Sequence, residues 1–491
     1  MMAVNSQYQT GNFTRETAVL KTQSMVEIKF SGQDVGEVVA VYPQISLVNC
    51  EVSSGRVNYG GRLIATVVYS DAEGKLCRIQ KGAEFSHYTD DDRLAPAQRG
   101  ECALTCDRVQ VKREGSSYVV AVVAGAEITI FDNAQRNYIT SIDGAVCQSD
   151  SAKLLSAVNF SGESDVDDDF DCVASDVLVP AAEAMVLGCN VRAGVVEVSG
   201  EIYLSLLAIR EGAPVSLDRV IPFKCELSCD EALLSQRAYC RAEIKNININ
   251  CKVNEERGKC DVEFNATLGF TGHFFEEEEI SLVSDAFCKE NELSLQFAEE
   301  STAVNTDVKV YSERVNGPCA AKAKLDYTCA FLAAALPKAE YQRTQDGIEG
   351  SVSATLLYEQ GGEIHSTEVN MPFTASLNGL SGSCKNVAVA VCGMSLRQRA
   401  EGECEAEAAL KITAWDGEVK TVKYLTEAIE GEAKKPDDCA ISVYIPAAGD
   451  GLWETAKRLS ESPESIKHSN PELSFPLTGK ERILIYRAKQ G

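Results

Sequence analysis

Histidine and tryptophan are scarce in this chain: 491 residues contain four of the first and two of the second. None of His87, His273, His365 and His468 sits in a zincin, nucleophile or phosphate-binding pattern, and neither GxxxxGK[ST] nor GxGxxG occurs. Hydrolytic, metal-assisted and nucleotide-dependent chemistry therefore lack their usual residues. His273 and His365 alternate with apolar neighbours and read as exposed strand positions. Long apolar runs are missing too: residues 119–126 and 330–336 are the longest candidates, far short of the ~18 that a membrane helix needs. The first 21 residues carry no basic stretch followed by an apolar run and cleavage site. With Asn5, Gln7, Gln9, Asn12 and Thr14 they read as a polar, disordered start without a signal segment.

Cysteine, by contrast, is abundant at 19 residues, yet no CxxC is present and pairs such as Cys102 and Cys106 or Cys225 and Cys229 do not have zinc-ligand spacing. Without a signal segment the reading is a reducing cytosol, no metal and no cofactor. Cys50, Cys189, Cys240, Cys251, Cys260 and Cys404 then serve as small hydrophobes in or beside alternating runs. The formal charge of −26 is carried by the body, since residues 439–491 hold seven basic and six acidic side chains. Such a body repels nucleic acid and anionic lipid and attracts basic surfaces at short range.

The body is one unit written three times. Residues 56–85, 195–223 and 347–373 each pass a short strand, a turn or kink at Gly61, Gly200 or Gly350 and a long alternating strand. A Gly-bearing turn and a returning strand follow, ending on Phe85, Phe223 or Phe373. Gly61 to Gly200 is 139 positions and Gly200 to Gly350 is 150, a period of tandem domains and not of a solenoid. Each copy continues into two more alternating strands, 103–111 and 119–131, 242–253 and 261–275, and 387–396 and 406–415. Period-two alternation with glycine turns predicts antiparallel hairpins, hence a small sandwich or open barrel per unit.

Two acidic runs interrupt this pattern. Residues 165–171 place carboxylates at alternate positions, but an EF-hand would need Gly where Phe170 stands, so a solvated linker is expected. Glu276, Glu277, Glu278 and Glu279 read as an exposed charged turn or a patch for a basic partner.

The tail changes character. Residues 441–445 form a strand, Gly449-Asp450-Gly451 permits a tight exit, and Leu452, Ala456 and Leu459 share one helical face. Ser462-Pro463-Glu464 opens a second helix, Asn470-Pro471 stops it, and residues 483–486 return as a strand. Trp453 is read as core beside Leu452. This strand–helix–helix–strand order resembles a LysM domain, with Gly451 where that family usually has Thr. Repeated Gly-centred β units that close on Pro222-Phe223 and Pro372-Phe373 and precede such a tail resemble the SPOCS-domain spore coat morphogenetic proteins of clostridia. The first copy departs from them with Ala83-Glu84-Phe85.

The expected architecture is mainly β: three tandem antiparallel sandwich- or barrel-like domains at 25–147, 172–288 and 289–428, and a βααβ LysM domain at 439–488. A disordered start (1–24), an acidic linker (148–171) and a second linker (429–438) complete it. The resemblance implies a non-enzymatic scaffold in the mother-cell cytoplasm, at the forespore surface. It would dock on the coat morphogenetic ATPase, stage IV sporulation protein A, with peptidoglycan glycan as the alternative ligand. It maps the binding groove to Asp450, Gly451 and Leu452 on one side and to Asn470, Pro471, Glu472 and Leu473 on the other. No catalytic residue, membrane insertion or nucleic-acid partner is expected.

Overall fold

A strand that alternates apolar and polar residues must keep one row of side chains dry, and each third of the chain does so by folding two three-stranded layers against each other. In the last third the layers join into one sheet where Ala320 and Ala321 pair with Asn370 and Val369. The computed structural model describes residues 2–31, 37–115, 117–233, 237–254, 259–380, 386–399, 403–435 and 439–486. After a two-residue strand β1 (Met2–Ala3), the first module runs β2 (Ser6–Ser31), β3 (Glu37–Ser53), β4 (Arg56–Ser70), β5 (Leu76–Asp90), β6 (Arg99–Glu114) and β7 (Ser117–Ile142). The second repeats this as β8 (Ala145–Cys172), β9 (Asp176–Arg192), β10 (Val195–Arg210), β11 (Ala213–Ser228), β12 (Ala238–Asn254) and β13 (Lys259–Cys288). The third comprises β14 (Asn291–Ala321), β15 (Ala330–Arg343), β16 (Gly347–Gln360), β17 (Glu363–Ser376), β18 (Asn386–Gln398) and β19 (Cys404–Ala433).

In every module the third, second and first strands of the meander lie side by side (β5-β4-β3, β11-β10-β9, β17-β16-β15). The facing sheet has the order first–last–penultimate: β2-β7-β6, β8-β13-β12 and β14-β19-β18. All pairings are antiparallel. Leu63, Ala65 and Val67 meet Val120, Val122 and Ala124 in the first core, and Ile202, Leu204 and Leu206 meet Phe264, Ala266 and Leu268 in the second. Val352, Ala354 and Leu356 meet Ala408, Leu410 and Ile412 in the third.

Gly61, Gly200 and Gly350 stand directly opposite Phe85, Phe223 and Phe373. They do not turn the chain. A Cβ on Gly61 would lie 2.5 Å from a ring carbon of Phe85, and one on Gly200 would strike both the Phe223 ring and the carbonyl of Met185. At Gly350 the carbonyl of Glu340 takes that space. At Gly61 and Gly200 the ladder to the preceding strand also slips, with register shifts at Leu47/Asn49 and Ser199/Gly200, whereas at Gly350 it runs on in register.

The modules close a ring: β5 packs on β9, β11 on β15 and β17 on β3. Val68, Leu207 and Leu357, each seven positions past its module's glycine, meet at the centre with Leu76, Leu178 and Ala333. The chain thus has pseudo-threefold symmetry. Beyond the sandwiches the first and last strands of each module run on together as two-stranded ribbons, and the three ribbons pack about the same axis. Phe13, Tyr138, Leu154, Ile280, Leu282 and Tyr424 form one layer, and Ile139, Ile142, Val283, Ala286, Leu425 and Ala428 the next. A lone hairpin is marginal in water, so each ribbon depends on the other two.

These ribbons overturn three expectations. Residues 6–24, expected to be disordered, belong to β2, which pairs with β7 along its length and buries Phe13. The expected linker at 148–171 lies inside β8, paired with β13. The module limits therefore fall at the ends of the ribbons, 6–142, 145–288 and 291–433, and not at 25–147, 172–288 and 289–428. Residues 429–433, expected as linker, end β19, where β1 adds through Met2↔Glu430. In each case the residues are polar because one row faces solvent, while the apolar contacts that order them come from distant segments.

The tail forms β20 (Ile441–Tyr444), α1 (Leu452–Leu459), α2 (Pro463–Ser469) and β21 (Ile483–Tyr486), with β20 and β21 antiparallel. Its helices cover one sheet face through Ala456, Ile466, Leu477, Ile483 and Ile485.

Replacing Gly200 by Ala should lower the stability of the second module by about 1–3 kcal/mol through overpacking against Phe223 and Met185. Gly317→Ala, in open space at ordinary φ, should be neutral or slightly stabilising. The denaturant midpoints of the two variants check the contrast.

Candidate functional site

Local hydrogen bonding explains the shape of the tail. Gly449 takes a φ of 94° after β20, and the Asp450 carboxylate then accepts from the Ala447 N–H at 2.9 Å and from Arg458 Nη1 at 2.7 Å. The Leu477 N–H donates to the Asp450 carbonyl at 2.9 Å, which ties this loop to the segment leading into β21. Ser462 Oγ caps α2 by accepting from the Ser465 N–H, and Pro463 occupies its first turn. Asn470 stops α2 and turns its amide onto β21, where Oδ1 accepts from the Leu484 N–H at 2.7 Å and Nδ2 donates to the Leu484 carbonyl at 2.8 Å.

The seven expected groove residues thus divide. Asp450 and Asn470 spend their polar groups on the fold itself. Leu452 and Leu473 come from the two loops to pack on the same small core, and both stay half-buried. Gly451 precedes α1 as its N-cap residue, and Pro471 and Glu472 are exposed. The groove offers an apolar floor and few uncommitted polar side chains.

A different surface went unnoticed in the sequence. Ile441, Val443, Ile445, Leu484 and Tyr486 are 61, 55, 68, 37 and 55 % exposed on the sheet face away from the helices. Register sets Ile441 opposite Tyr486 and Val443 opposite Leu484. The signal was present as alternation on both strands, but their apolar character on both faces reads as core.

The tail is held against the end of the second module's ribbon. The Trp453 ring packs on Phe287 with centroids 5.3 Å apart, and its Nε1–H donates to Asp285 at 2.8 Å. Lys457 Nζ reaches both oxygens of Asp285 at 2.7 Å, and Lys289 pairs with Glu461 at 3.1 Å. Lys434 donates to the Cys288 carbonyl and to Ser460 Oγ. Trp453 therefore fills an interface between tail and body. Burial would push the Asp285 carboxyl up, but hydrogen bonds from Lys457 and Trp453 outweigh it and hold the group below its ordinary value of 3.8.

A second feature lies on the pseudo-threefold axis, a cavity of about 260 Å³ lined by residues of all three modules, among them Arg15, Arg99, Glu101, Phe131, His273 and Thr302. Contrary to the expectation of an exposed strand position, His273 is buried, tilted against Phe131 and Tyr239 and edge-on to Phe275. Its neighbours arrive from two modules, which local alternation cannot show. His365 is half-buried beside Tyr358. Burial lowers the Arg99 guanidinium. It opposes ionisation of Glu101 as well, yet His273, Arg99 and Arg241 together keep that carboxyl below its ordinary range. Cations and carboxylates are interleaved, and the lining hydroxyls of Thr14, Ser301 and Thr302 bond Asn133, Thr421 and the Thr14 carbonyl.

The acidic runs are strand segments. Asp165, Asp167, Asp169 and Asp171 point outward on β8, where Thr267, Asn265 and Lys259 bond Asp165, Asp167 and Asp171. Asp168 turns the other way to Arg219 at 2.6 Å, whose guanidinium covers Phe170. Glu276 to Glu279 lie exposed on β13, with Glu277 paired to Lys153 and Lys420. Among the described residues no group of three or more His, Cys, Asp or Glu is arranged to hold a metal ion, and no helix is long and apolar enough to cross a membrane.

No protein-family model, curated protein or solved structure matches this chain.

Removing the Asp285 carboxylate (Asp285→Ala) should loosen the tail by roughly 1–3 kcal/mol, the cost of leaving its donors unmet. Because the folded value is depressed, the contribution is complete above pH 3.8 and is lost as pH falls through the folded value. Trp453 emission should accordingly shift to the red in acid for the native chain, and at neutral pH for the variant. Faster proteolytic cutting between the ribbons and β20 would accompany both.

Proposed function

We propose that the chain is a non-enzymatic adaptor of spore coat assembly, which docks through its C-terminal LysM-like unit on a coat morphogenetic ATPase of the stage IV sporulation protein A kind. Its place would be the mother-cell cytoplasm at the forespore surface. The observation that carries this reading is the exposed apolar sheet face of Ile441, Val443, Ile445, Leu484 and Tyr486, held at the end of the ribbon bundle by Trp453 and Lys457. An apolar patch with a defined orientation is what a protein partner uses and what a polar glycan does not need. In support, Asp450 and Asn470, two of the three polar side chains of the mapped groove, are bonded internally, and of the three only Glu472 stands exposed. The three modules supply length and separate faces. The hydroxyls that line the axial cavity are bonded to an amide, another hydroxyl and a carbonyl and not to His273 or Glu101, which supports a binding role over a catalytic one.

The full chain should retain the purified ATPase in a pull-down. Val443→Asp should reduce that retention at least tenfold, by about 1.4 kcal/mol or more, with the far-ultraviolet circular dichroism unchanged. Retention of muropeptides with no capture of the ATPase would replace this reading with glycan binding.

A further inference from the structure

Pseudo-symmetry places cysteines in pairs. Cys50 and Cys189 each stand eleven positions before the glycine of their module, on the meander strand that borders the facing sheet. Opposite them on β6 and β12 lie Cys102 and Cys240, and each pair is in thiol–thiol hydrogen-bond contact. A Cβ built on Gly100 would sit 3.0 Å from Cys50 Sγ, so this thiol already reaches across the seam onto β6. Just before β12, Arg237 bridges Asn190 of β9, which brings these two strands edge to edge. In the third module Ala339 takes the place of Cys50.

A second pair position lies on the long ladder. Cys172 faces Cys260 across β8 and β13, and Cys319 faces Cys404 across β14 and β19. Ser31 and Ser117 hold the corresponding place in the first module. Directly opposed residues of antiparallel strands have Cβ atoms within the range that a disulfide bridges after small adjustment. Cys251 also touches Cys260, but it stands opposite Val262.

We infer that Cys50/Cys102, Cys189/Cys240, Cys172/Cys260 and Cys319/Cys404 are sites of covalent modification, each closing to an intramolecular disulfide when the folded chain meets a peroxide. The first two bonds would seal the seam between the sheets of modules one and two. The others would staple the long ladders of modules two and three. The chemistry balances: one thiolate attacks hydrogen peroxide to give a sulfenic acid and hydroxide, and the partner thiol then displaces the sulfenic oxygen as water. Overall two thiols lose two electrons and two protons, and one peroxide becomes two waters. Cys50 is the first to react, because the hydrogen bond from Cys102 and the charge of Arg99 outweigh burial and hold its thiol below the ordinary range.

The experiment uses the full chain, purified under reductant, desalted and exposed to hydrogen peroxide. Remaining thiols are alkylated with iodoacetamide, and non-reduced peptides are mapped by mass spectrometry. The expected result is the four named linkages, Cys50–Cys102 earliest, all reversed by dithiothreitol, with Cys77 and Cys147 still alkylated. Arg99→Gln should slow Cys50–Cys102 several-fold and leave Cys319–Cys404 unchanged. The inference is overturned if the named cysteines remain alkylated after the exposed Cys439 has been oxidised, or if other pairings predominate. Cys251–Cys260 in place of Cys172–Cys260 would overturn that site. The mapping of the native chain decides the outcome without any variant.

Discussion

The antiparallel ladder between the first and last long strand of each module is the constraint on which the rest depends. β2 with β7, β8 with β13 and β14 with β19 join segments far apart in the chain, from Cys319 opposite Cys404 to Ala145 opposite Cys288, so each ladder closes a long loop that holds the module's other strands. Half of each ladder completes a sheet of its own module. The other half leaves the module as a ribbon that cannot stand alone, and the three ribbons therefore converge. Phe13 stacked on Tyr424 illustrates this, since one ring comes from the start of the chain and the other from the end of the third module.

Charge follows from the same geometry. A chain with a formal charge of −26 has to place its carboxylates where water or a cation can reach them. The strands do this by alternation, so that Val166, Phe170 and Cys172 turn inward while Asp165, Asp167, Asp169 and Asp171 turn outward. Desolvation still overtakes some groups: it raises the Glu183 carboxyl to about 7, and at the axis, where the closing of the ring gathers Arg99, Glu101 and His273, it prevails at Arg99 while His273, Arg99 and Arg241 hold Glu101 below its ordinary range. Asp285 plays the corresponding part at the end of the bundle, with one carboxylate gathering Trp453 and Lys457 and so setting the orientation of the tail.

That orientation links fold to role. The apolar face of β20 and β21 is directed away from the tail's own helices, while Trp453 on the first of those helices is occupied by the body. The tail is thus presented in one attitude, and a partner that binds it would be held at a defined position relative to all three modules.

The period-two runs, the recurring Gly–Phe pairs and the turn residues of the tail made three β modules and a strand–helix–helix–strand unit legible from the amino acids, because these signals are local and repeat. Alternation did not show that residues 6–24 and 148–171 are strands, since their buried neighbours lie in distant segments, as Phe274 lies beside Phe160 and Tyr424 beside Phe13. It could not bury His273 for the same reason. Nor could residue type reveal that Asp450 and Asn470 are committed to backbone groups, because a carboxylate or an amide looks alike in sequence whether it holds a loop or waits for a ligand. Composition and periodicity determined what each strand would be. Only the closing of the ring decided which faces became interior, because burial is a property of segments brought together from across the chain.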